Sequence, residues 1–68
     1  MTIQEEAFAR YLTARIHNTC PHCEPLDSAY TTTEKRIAQL IKVAAPIEVL
    51  QREQAILEYI GEHYYDSF

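Results

Sequence analysis

Two thiols and two imidazoles fall within one short stretch, His17-Asn18-Thr19-Cys20-Pro21-His22-Cys23. Zinc takes four tetrahedral nitrogen or sulfur donors, and the turn of a Cys-x-x-Cys lets both sulfurs face one point. Cys20 and Cys23 therefore make half of a zinc site, with His17 and His63 as candidates for the other half. No second Cys-x-x-Cys follows, so the same residues also fit two reduced thiols in a loop. Cys-Pro-His-Cys shares its wording with thiol–disulfide oxidoreductases, where a helix N-terminus lowers the first thiol's pKa. Here it trails a helical stretch and leads into a proline-rich one, which is the wrong setting for that chemistry. Nothing in the chain has the spacing of a nucleophile–base triad, a phosphate loop or a carboxylate pair, and catalysis is not expected.

Charge is the second chemical feature. Residues 1–45 balance five acids with five bases, whereas residues 46–68 set Glu48, Glu53, Glu58, Glu62 and Asp66 against Arg52 alone. The whole net charge of −4 thus lies in the final segment. Acids late in a helix oppose its dipole, so helix stability does not account for Glu58, Glu62 and Asp66. They form either a solvated face or a docking surface for a basic partner. Tyr59, Tyr64, Tyr65 and Phe68 crowd the same end, and tyrosine offers an interface large area with a polar tip. Together these residues are the predicted partner-binding set. Direct nucleic-acid binding is disfavoured, because Lys35, Arg36 and Lys42 are the only basic cluster on an acidic chain.

The elements that must position these groups are helical. Sixty-eight residues with 47% apolar content, one Gly and three Pro make a single domain, 1–68, with little room for tight turns. A chain this short buries only about 60% of its unfolded surface, which favours support from a metal or a partner. Thr2-Ile3-Gln4-Glu5 fits a capping box and opens a helix over 3–17, with Glu6 and Arg10 spaced as an ion pair. That helix has two apolar seams: Phe8, Leu12 and Ile16 on one, and Ile3, Ala7, Tyr11 and Ala14 on the other. A long loop follows at 18–30. Thr31-Thr32-Thr33-Glu34 offers a second capping box for a helix over 32–44, in which Ile37, Leu40, Ile41 and Ala44 keep helical spacing. Pro46 starts a third helix, 46–65, after a break at Ala45. Val49, Leu50, Ile56, Leu57, Ile60 and Tyr64 lie within one arc of it.

The predicted fold is an all-α three-helix bundle running up, down and up, with a C-terminal helix long enough to overhang the other two. Two charged residues sit where apolar ones are expected, Glu53 inside the third helix's apolar arc and Arg15 between the seams of the first. The simplest expectation pairs them. No stretch approaches the roughly 18 apolar residues of a membrane helix, and the acidic N-terminus lacks a signal peptide's basic flank and apolar run. A cytoplasmic location is expected. The leading expectation is an interaction protein, an inhibitor or adaptor of the kind viruses direct at host nucleic-acid machinery, anti-CRISPR proteins among them. The alternatives are a zinc-stabilised regulator touching nucleic acid through Lys35, Arg36 and Lys42, and a homodimer whose third helices pair.

Overall fold

The computed structural model describes residues 2–64. It contains three helices, α1 (Ile3–Thr19), α2 (Ala29–Lys42) and α3 (Ile47–His63). α3 packs on both α1 and α2, which touch each other much less.

Each helix begins for a local reason. Thr2 caps α1 by accepting from the Glu5 amide at 3.1 Å, as the capping box predicts. α2 starts three residues earlier than the Thr-Thr-Thr-Glu run implies, because Ser28 takes the cap and accepts from the Thr31 amide at 3.2 Å. Its hydroxyl also donates to Thr31 Oγ1 at 3.1 Å, so the hydroxyl expected to cap the helix braces the one that does. Pro46 is the N-cap of α3, and its carbonyl accepts from the Val49 and Leu50 amides.

α2 ends in a left-handed residue. The Ala44 amide bonds to the Ile41 carbonyl at 3.1 Å and the Ala45 amide to the Leu40 carbonyl at 2.9 Å. This is the Schellman pattern, which usually has glycine at the position Ala44 occupies. Ala44 sits there at φ 54°, where its Cβ crowds the following carbonyl.

Ala7, Tyr11 and Ala14 of α1, Ala29 and Ile37 of α2, and Ile56 and Ile60 of α3 form the buried apolar set. The three alanines let backbones approach, while Tyr11, Ile56 and Ile60 fill the space between. Gly61 serves the same purpose: a Cβ there would lie 3.1 Å from Tyr30 Cε2, so the Tyr30 ring rests on bare backbone.

Two expectations about packing need correction. Phe8, Leu12 and Ile16 are 47%, 38% and 61% exposed, so only the second seam of α1 enters the core. α3 does not outgrow its neighbours among the described residues: at 17 residues it equals α1, against 14 for α2. Tyr64 caps α3 and stacks on Tyr11 of α1, with centroids 4.6 Å apart and planes 16° from parallel.

Relieving the left-handed alanine should stabilise the protein. Ala44→Gly is expected to add about 0.5–1 kcal/mol, the steric relief exceeding glycine's extra unfolded freedom. Urea denaturation checks this, and a loss of stability would mean that the helix end is not held in this conformation.

Candidate functional site

Among the described residues Glu53 is the one charged residue in the interior, 4% exposed. Arg10 reaches it from α1, with Nη2 donating to Oε1 at 3.0 Å and Nη1 lying 2.8 Å from Oε2. The second contact has the distance of an ion pair without the angles of a hydrogen bond, so Oε2 is buried with no hydrogen-bonded partner. Arg36 of α2 closes on Oε1 from the other side. Arg10 also donates from Nε to Glu6 at 3.1 Å and from Nη1 to the fully buried Thr33 at 3.2 Å. One carboxylate therefore ties all three helices.

Burial opposes ionisation of Glu53, but the hydrogen bond and charge of Arg10, with the charge of Arg36, outweigh it and hold its pKa below the usual range. The expected Arg15–Glu53 pair is absent. Arg15 turns instead to its own helix and donates to the Tyr11 hydroxyl at 2.6 Å. Arg10 takes the inward role because it stands one turn from both Ala7 and Ala14 on the buried side of α1.

The residues predicted for partner binding divide. Glu58 and Glu62 are exposed one turn apart on α3, and Tyr59 and Tyr64 are half-buried beside them. The Tyr59 ring lies 4.2 Å from His63 and 5.9 Å from Tyr64, while Tyr64 also approaches Phe8 at 6.2 Å. Desolvation, with the neighbouring Tyr59 and Tyr11, raises the Tyr64 pKa. Tyr65, Asp66 and Phe68 lie outside the described residues.

The metal candidates divide as well. Cys20 and Cys23 are free, half-exposed thiols in a turn closed by the Cys23 amide on the Cys20 carbonyl at 3.4 Å. The neighbouring Cys23 thiol lowers the pKa of Cys20, and Cys20 in turn raises that of Cys23. His63 is held against Tyr59, with Nε2 3.9 Å from Glu62. Among the described residues no three metal-donor side chains gather in this structure. In the basic cluster of α2, Lys35 is paired to Asp27 and Arg36 to Glu53.

A shallow groove of about 260 Å³ runs between α1 and the segment entering α2, with Ala9, Ala14 and Leu26 among its walls and Arg10 and Asp27 at its edge. Sequence periodicity gave no sign of it, because Leu26 comes from the irregular connection.

No family model, curated protein or solved structure matches the chain.

The two arginines of α1 are separable by measurement. Arg10→Ala leaves the buried carboxylate to Arg36 alone and should cost about 3 kcal/mol, whereas Arg15→Ala loses one hydrogen bond and should cost about 1 kcal/mol. The reverse order in urea titrations would return Glu53 to Arg15.

The pH dependence follows from the sign of the shift. Glu53 titrates lower in the folded chain than in the unfolded one, so its contribution is complete above the ordinary glutamate value of 4.5 and fades as pH falls below it. Glu53→Gln should flatten that part of the stability profile below about pH 4.5. An unchanged slope would mean that Glu53 is not held ionised by its arginines.

Proposed function

We propose that the chain is an interaction protein, an inhibitor or adaptor, that docks on a basic protein surface through the C-terminal half of α3. The observation that carries this is the exposure of Glu58 and Glu62 one turn apart, flanking a half-buried Tyr59. Protein interfaces concentrate energy in a few aromatic anchors with a polar rim around them, and Tyr59 and Tyr64 with the two glutamates have that composition. With the helices running up, down and up, this face stands at the end of the bundle that also carries the α1–α2 connection.

The charge placement supports the same reading. Glu53 draws in Arg10 and Arg36, two of the five bases that balance residues 1–45, so the exposed surface of α3 faces its partner as acid little diluted by neighbouring cations. A protein partner is favoured over nucleic acid because Lys35 and Arg36 are already paired to carboxylates.

The two kinds of residue should act on different rate constants. With a partner captured from host lysate and identified, Glu58→Lys combined with Glu62→Lys should slow association about tenfold or more at low salt and blunt its salt dependence. Tyr59→Ala should speed dissociation with little effect on association. Variants that keep parental rates while binding the same partner would move the docking face off α3.

A further inference from the structure

The exposed seam of α1 and the thiol pair belong to one surface. Phe8, Leu12 and Ile16 recur every four residues, and Cys20 is the next step of that series. Cys20 is the C-cap of α1, and its amide still bonds to the Ile16 carbonyl at 2.9 Å, which keeps it one turn above Ile16. Leu12 and Ile16 are 38% and 61% exposed. An unpartnered apolar stripe therefore runs directly into the Cys-x-x-Cys turn.

Each half of this surface lacks what the other supplies. Two adjacent thiols are half of a tetrahedral zinc site, and among the described residues no third donor joins them. Leu12 and Ile16 of each copy are two side chains, a small contact beside the roughly 1,000 Å² expected of a stable interface. A second copy of the chain remedies both shortages. We propose that two copies pair through Leu12 and Ile16 of α1 and bind one zinc ion between them, with Cys20 and Cys23 of each copy as its four ligands.

The cysteines choose the geometry. An apolar stripe at four-residue spacing admits parallel or antiparallel pairing, but only a two-fold axis running along α1 brings both thiol pairs to the same end. That arrangement sets Glu5 near Glu5 of the second copy, so the helices diverge at their N-termini and close towards the metal. Four thiols release their protons to solvent as the sulfurs bind, and no electron is transferred. Cys20 and Cys23 are free and partly exposed, and the turn closed by the Cys23 amide on the Cys20 carbonyl at 3.4 Å keeps them at one end of the stripe. The site leaves Glu58, Tyr59 and Glu62 of α3 free, so it adds to the docking function without depending on it.

Cobalt(II) titration of the reduced, untagged chain tests this, with mass measured by light scattering at each step. The expected result is a tetrahedral thiolate–cobalt spectrum that saturates at about one metal per two chains, as four sulfurs on one ion require, together with a doubling of mass. Chelator should return the monomer. Cys23→Ser should abolish the spectrum. Leu12→Glu, on an exposed position that leaves the core intact, should prevent the mass doubling and weaken metal binding at least tenfold, with helical circular dichroism unchanged. Saturation at one metal per monomer, a dimer indifferent to metal, or a reduced chain that gives no thiolate–cobalt band would each overturn the proposal.

Discussion

A carboxylate in a protein interior is tolerable only when positive charge and donors surround it, and Glu53 brings that requirement into a very small bundle. One helix cannot meet it alone. Arg10 comes from α1, Arg36 from α2, and buried Thr33 accepts from Arg10, so the charge is compensated only when all three helices are docked. Such a group adds little net stability compared with an apolar residue of equal size. What it adds is exclusion of alternatives: a slipped or rotated helix would leave Glu53 buried without its cations. The apolar core is built mainly of alanine and isoleucine and does little to forbid such slips by shape.

The size of the chain explains what is left outside. Three short helices enclose a single strip of core, and α1 can turn only one of its seams towards it. Tyr11, between Ala7 and Ala14, goes in and its ring is covered by Tyr64. Phe8, Leu12 and Ile16 stay out. The molecule consequently presents two surfaces of different chemistry: an acidic aromatic face on α3, and an apolar stripe on α1 that ends in sulfur. They meet where Phe8 approaches Tyr64.

Much of this was legible in the residues. Three helices, the break before Pro46, the Thr2 cap and the burial of Glu53 all follow from spacing and residue type. The misreadings have physical causes. The spacing that pairs Arg10 with Glu6 holds, but a guanidinium has five N–H groups, and this one serves Glu53 and Thr33 as well. Arg36 is mostly exposed and still reaches Glu53 with its end, which a helical wheel does not represent. Two residues able to cap a helix, Ser28 and Thr31, lie three apart at the start of α2, and local sequence does not rank one above the other. In α1 the bulkier seam of Phe8, Leu12 and Ile16 stays out while the alanine-rich one goes in, a choice that belongs to packing. Of the candidate site, the adjacency of the thiols was readable, while the contact of His63 with the Tyr59 ring one turn away was not.

The unequal connections between the helices bear on how the chain reaches this state. Only residues 43–46 separate α2 from α3, whereas residues 20–28 separate α1 from α2. Closing the longer segment costs about 0.6 kcal/mol more for each doubling of its length, a small but consistent bias. The bias favours a path on which α2 and α3 meet first, bringing Arg36 to Glu53 and Tyr30 to Gly61 with the rest of the cleft still open. α1 arrives last, and with it the Arg10 guanidinium. Until then the future core is a wet trough with a carboxylate only partly neutralised at its floor, which makes this helix the natural point of entry for a protease or a chaperone.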